Sequence, residues 1–179
     1  MQKTYDVSVV VPTVGRASLS AAIGSVLAQT TGPREVIIVF DGPAADAPET
    51  STWGDGARCR VVPTGGGAGV AAARNVGMRA ARGSFIAFLD DDDTWLPHHL
   101  ETTVGFLDAH PDVDVVGTSA LLRGAARERS TPRQVYRSGR LIDFMFGADV
   151  WRARDVVSPL PPWCSGARWP ISRWTSRCR

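Results

Sequence analysis

Four consecutive carboxylates, Asp90 to Asp93, follow the apolar run "FIAFL" and precede "TWLP". Adjacent anions repel and each resists losing its water, so this cluster carries an electrostatic cost at the end of a buried segment. One Asp is enough to close a turn or cap a helix, and Asp93 or Thr94 is placed to cap a helix starting near Pro97. Capping does not account for four. A divalent cation of the Mg2+ or Mn2+ type does, because hard oxygen ligands suit it. The spacing of an EF-hand calcium loop is absent. Mg2+-type sites commonly use one or two protein carboxylates and complete their shell with substrate phosphates, so a phosphorylated ligand is implied as well.

Two further residues have types that suit such a site. Asp41 ends "REVIIVFD" just before Gly42, where a plain turn residue is equally at home. Arg74, in "AAARNVG", lies in an Ala-rich segment, either as a surface Arg laid along its own stem or as a cation facing a ligand. Its neighbour Asn75 reads as a polar face residue.

The elements that must position these groups follow from periodicity. "VSVVVP" (7–12) and "REVIIVFD" (34–41) are β-branched runs without polar alternation, as expected of strands buried on both faces. "RCRVVP" (58–63) and "SFIAFLD" (84–90) are the third and fourth strands. Residues 17–29 predict a helix with Leu19, Ile23, Val26 and Leu27 on one side. "GAGVAAARNVGMRAARG" predicts a second helix that opens on glycines and stops at Gly83. Residues 97–109 predict a third, with Pro97 at its first position. "VDVVGTSA" (113–120) is expected to be a fifth strand. Strands alternating with helices imply an α/β fold with a doubly wound parallel sheet and helices on both faces. Such sheets bind ligands beyond the carboxyl ends of their strands, where Asp41 and Asp90 to Asp93 fall.

Past Ala120 the periodicity fades. "RGAARERSTPRQVYRSGR" is polar and basic, and "LIDFMFGADVW" reads as a short amphipathic segment. Residues 1–157 are expected to form one domain. Residues 158–179 form an irregular tail with three Trp, four Pro, four Arg and no acid. GC-rich DNA read out of frame yields this composition, so an out-of-frame or truncated C-terminus is one expectation and a proline-rich native loop another.

The 179 residues suffice for a hydrophobic core, and the 44% hydrophobic and 21% charged fractions are those of an ordinary globular protein. The formal net charge of +2 does not point to nucleic acid, and the basic excess sits in the tail. Three scattered cysteines, Cys59, Cys164 and Cys178, support neither a disulfide framework nor a zinc site. The apolar start is too short for a signal peptide and no stretch approaches a transmembrane span, so a cytoplasmic location is expected.

In order and spacing, "VSVVVPTVGR", "EVIIVFDGP", "GAGVAAARNVGMRAARG" and "FIAFLDDDDTWLPHHLE" resemble a family 2 glycosyltransferase of the GT-A fold over roughly residues 5–120. The second piece stands where that family has a strand ending in Asp-Asp-Gly-Ser, and the fourth where it has its Asp-x-Asp segment. The resemblance implies a nucleoside-diphosphate sugar donor, an unknown acceptor and a divalent cation, Mn2+ or Mg2+. It places Pro12, Thr13 and Asp41 against base and ribose, with Arg74 on the same wall. Asp90 and Asp91 would lie near ribose and metal, and Asp92 would be the main metal ligand. The family's inverting transfer needs a general base to take the acceptor proton, normally an Asp or Glu beyond the fifth strand. Here no Glu-Asp pair follows residue 130, and the late carboxylates Asp143, Asp149 and Asp155 match no motif. The catalytic base is unassigned, and a nucleotide-sugar-binding remnant without transfer activity is the alternative.

A nicotinamide-dependent oxidoreductase is the rival enzyme class. Gly67-x-Gly69-x-x-Ala72 follows a strand, and Asp90 comes about twenty residues later, where a ribose-binding acid is expected. Pro63 and Thr64 separate that strand from the glycines, however, and the fingerprint explains one Asp of four. A nucleotidyltransferase would want a basic Gly-rich triphosphate loop near Pro12, and none is present.

Overall fold

The computed structural model describes residues 4–53, 58–118, 120–123 and 128–131. Two β-branched runs form its centre. β1 (Thr4–Thr13) and β2 (Gly32–Phe40) pair in parallel, with Val9 opposite Val36 and Val11 opposite Ile38. Val7, Val9, Val10 and Val11, with Val36 to Val39, are almost wholly buried, as strands covered on both faces must be. β3 (Cys59–Pro63) joins β2, and β4 (Phe85–Phe88) joins the other edge of β1, both in parallel. The sheet order is β3-β2-β1-β4. The chain therefore builds outward from β1 to β3, then crosses back to lay β4 on the far side.

That reversal places the crossover helices on opposite faces. α1 (Leu19–Leu27) links β1 to β2 and buries Leu19, Ala22, Ile23 and Val26. α2 (Val70–Ala80) links β3 to β4, and Ala73 joins Val10, Ile37 and Val39 in one apolar cluster. Side chains alternate along a strand, so Val9, Val11, Val36 and Ile38 point to the other face. Gly77 lets α2 approach the sheet closely: a Cβ there would lie 2.2 Å from Val10 Cγ1.

The sheet's amino end is tied by a polar network. Glu35 accepts hydrogen bonds from Ser8 Oγ (2.7 Å), Arg60 Nε (2.9 Å) and the Arg82 amide (2.8 Å). Arg60 also donates to the Ala80 carbonyl at the end of α2. Burial works against the Glu35 carboxylate, but the donors from Ser8, Arg60 and Arg82 outweigh it and hold its pKa below the usual value.

Several boundaries differ from the expectations. α2 starts at Val70 and ends at Ala80, and Gly83 is not its cap; the Gly83 amide donates to Ser8 Oγ, and a Cβ would meet the β1 backbone. α3 (His99–Ala109) begins two residues past Pro97, and neither Asp93 nor Thr94 caps it. Instead the buried Gln29, at the end of α1, accepts the Leu100 amide (3.0 Å) and donates to the Leu96 carbonyl (2.8 Å). A cap supplied by another element leaves no local sequence signal.

The described residues divide into two compact units, with the boundary between Glu101 and Thr102. In the second unit the fifth strand is not where alternation put it. Residues 113–118 carry no strand; β5 (Ala120–Arg123) pairs antiparallel with β6 (Glu128–Thr131). The charged partner Glu128–Thr131 gives no apolar run to read, so the hairpin is invisible to periodicity. The amphipathic segment 141–151, the late carboxylates and the tail 158–179 lie outside the described residues.

Candidate functional site

The carboxyl ends of β1, β2 and β4 lie side by side. The Asp41 amide donates to the Thr13 carbonyl (2.8 Å), the Thr64 amide to Phe40 (2.9 Å), and the Leu89 amide to Val10 (3.2 Å). A cleft of about 310 Å³ opens beyond them, lined by Pro12, Thr13, Arg16, Asp41, Gly69, Val70 and Asp90 to Asp92, among others. Six of the seven expected site residues line it. The seventh, Arg74, is absent from the lining but holds Asp90, which is present, through an ion pair of 2.6 Å.

Asp90 to Asp93 form a tight turn closed by the Asp93 amide on the Asp90 carbonyl (3.1 Å). The four side chains have different surroundings. Asp90 faces Arg74. Asp91 is buried and accepts from Thr13 Oγ1 (2.6 Å) and Arg16 Nη1 (2.9 Å). Asp92 is 60% exposed and touches only Arg16 Nη1 (3.0 Å) among the described residues. Asp93 is pushed up in pKa by burial first, then by the charges of Asp92 and Asp90. The like-charge crowding expected from sequence thus adds to burial at Asp93.

Asp41 has a role the sequence did not show. One oxygen accepts from Thr64 Oγ1 and the Ala68 amide, the other from the Gly69 amide (2.8 Å). These donors, Thr64 first, hold its pKa below the usual carboxylate value. From just past the end of β2, Asp41 therefore fixes the glycine-rich loop that leads into α2. Two amides of the Gly-x-Gly-x-x-Ala stretch, those of Ala68 and Gly69, are engaged by Asp41 rather than presented to a pyrophosphate, which weakens the oxidoreductase reading.

Arg16 was not singled out in the sequence. Its partners lie 75 and 76 positions away, so no local pattern marks it. Its single Nη1 bridges Asp91 and Asp92 as a stand-in cation would. Among the described residues no three Asp, Glu, His or Cys side chains form a ready-made metal cage. The donor set of carboxylate oxygens already bridged by one positive group does fit a hard divalent ion that completes its shell from a ligand.

The family model described as "Glycosyl transferase family 2" matches residues 8–159. The chain belongs to that family. Among curated relatives, it is 32% identical over 104 residues to the Escherichia coli UDP-Glc:alpha-D-GlcNAc-diphosphoundecaprenol beta-1,3-glucosyltransferase WfgD. It is 26% identical over 106 residues to the Erwinia amylovora amylovoran biosynthesis glycosyltransferase AmsE. These alignments take in 58% of the chain in both cases, but only 41% and 40% of the relatives. Among solved structures, S. aureus TarS 1-349 in complex with UDP-GlcNAc superposes with a TM-score of 0.54 at 21% identity, covering 76% of this chain and 41% of that one. The mannosyltransferase PcManGT from Pyrobaculum calidifontis, in complex with GDP-Man and Mn2+, gives 0.51 at 26% identity, covering 60% and 33%. The parallel sheet and its helices are thus the GT-A fold of a family 2 glycosyltransferase. Among the described residues no helix is long and apolar enough to cross a membrane.

Proposed function

We propose that the cleft binds a nucleoside-diphosphate sugar together with a divalent cation, and that the protein transfers the sugar to an acceptor with inversion. The observation that carries this reading is that Pro12, Thr13, Asp41 and Asp90 to Asp92, which are distant in sequence, line one cleft at the carboxyl end of a parallel sheet. The relatives' names and the neighbours' bound GDP-Man with Mn2+ and UDP-GlcNAc support the same class.

Charge argues for the cation. Four carboxylates line the cleft against one guanidinium, so an unaccompanied diphosphate is repelled. Asp92, exposed and lightly held, is the residue to take the ion, with Asp91 behind it. When bound, a divalent cation supplies Lewis-acid stabilisation of the charge that develops on the departing diphosphate. The chain's own residues do the rest of the binding. Pro12 and Thr13 form the wall for base and ribose, Asp41 fixes the loop that closes the wall, and the Arg74–Asp90 pair sets the ribose side. The base that takes the proton of the acceptor hydroxyl is not assigned to any residue.

The test is a calorimetric titration of the protein with UDP, GDP and dTDP, each with and without Mn2+. One of the three should bind, and Mn2+ should tighten it. Binding of none, or binding indifferent to Mn2+, overturns the reading.

A further inference from the structure

We propose that Arg16 is a built-in counter-cation for the acidic turn, which the divalent ion must displace and which then turns to the ligand's phosphates. The inference rests on the donor-binding reading and extends it to a residue that reading does not use. Its basis is geometric. A single nitrogen, Nη1, sits 2.9 Å from Asp91 Oδ1 and 3.0 Å from Asp92 Oδ2, which is the bridging place a cation between the two carboxylates would take.

The loop after β1 is shaped to put it there. Thr13 Oγ1 donates to Asp91 Oδ2 and accepts the Gly15 amide (2.9 Å). Gly15 has a φ of 89°, a conformation that a side chain would strain, and it turns the chain so that Arg16 faces the acidic turn. Arg16 is itself 55% exposed, so it can swing away without opening the core. Its Nε and Nη2 have no partner among the described residues, which leaves donors for an anion.

Two consequences follow. Without nucleotide, metal competes with Arg16 and binds weakly. With nucleotide, the diphosphate gives the released guanidinium a new partner, so metal and nucleotide bind cooperatively. A cation shared with the diphosphate gives some cooperativity by itself; Arg16 adds to it, and a residue that only steadied the loop would add nothing.

The experiment measures Mn2+ binding to the full chain by electron paramagnetic resonance, alone and with each of UDP, GDP and dTDP. The Arg16→Gln variant should bind Mn2+ alone about fivefold more tightly, the scale of one exposed ion pair. The further tightening of Mn2+ by nucleotide should shrink. Arg16→Lys keeps the charge but offers a single ammonium, and should lie between parent and Arg16→Gln. Equal or weaker Mn2+ affinity in Arg16→Gln overturns the proposal, as does Arg16→Lys binding Mn2+ more tightly than Arg16→Gln. A parent that shows no Mn2+ response at all overturns the donor-binding reading and this proposal together. A responsive parent with an unchanged Arg16→Gln overturns this proposal alone.

Discussion

Asp41 and Asp92 are both acids of one cleft, and their partners give them different tasks. Among the described residues Asp92 touches only Arg16, and it is mostly exposed, so Asp92→Asn should leave thermal unfolding unchanged while abolishing the Mn2+ enhancement of nucleotide affinity. An unaltered enhancement would take the ion away from Asp92. Asp41 instead spends both oxygens on Thr64, Ala68 and Gly69. Asp41→Ala should weaken nucleotide binding and also speed amide exchange at Ala68 and Gly69 severalfold, because those donors lose their acceptor. Asp41→Asn should restore part of both effects, since one oxygen remains. Weakened binding with unchanged exchange would mean that Asp41 acts only on the ligand.

At the scale of elements, Glu35 and Gly77 set how α2 seats on the sheet. Glu35→Ala removes the acceptor of Ser8, Arg60 and the Arg82 amide, and should cost about 1–3 kcal/mol in urea unfolding. Its pKa is depressed on folding, so its contribution is fully present above the ordinary Glu value. That contribution is lost as pH falls through the folded-state pKa below it. The parent should therefore lose stability below about pH 4.5 more steeply than Glu35→Gln. Gly77→Ala pushes a methyl into Val10 and should cost about 1–3 kcal/mol or more. A neutral Gly77→Ala would mean that α2 can shift outward freely. The central strands and both crossover helices were legible because valine and isoleucine runs and a 3.6-residue period report local burial. What joins the elements was not legible. Glu35, Gln29 and Arg16 find their partners across 25 to 76 positions, and no spacing within a window encodes that. The strand expected at 113–120 failed for a related reason: Val113, Val115 and Val116 are only half-buried, and β5 is fixed by its hairpin partner.

Over the whole first unit, the structural network and the cleft sit at opposite ends of the same strands. Ser8 and Thr13 are five residues apart on β1, about 17 Å along an extended chain. Substitutions that far apart with no shared partner should add, so Glu35→Gln combined with Asp92→Asn should sum in unfolding free energy within about 0.5 kcal/mol. A larger discrepancy would reveal a link along β1. The strand order also has a consequence in time. β1 is central, yet its partner β4 is made some seventy residues after it, behind β2, β3 and α2. At a synthesis rate of about 5–20 residues per second, the valine-rich edge of β1 waits roughly 4–15 seconds on the ribosome for its neighbour. Until β4 arrives, Thr13 has no Asp91 to hold and the emerging chain displays an unpaired apolar ladder. Slow stretches of translation between residues 63 and 85 would prolong that wait, and should show as chaperone binding and aggregation during synthesis rather than as any change in the finished protein.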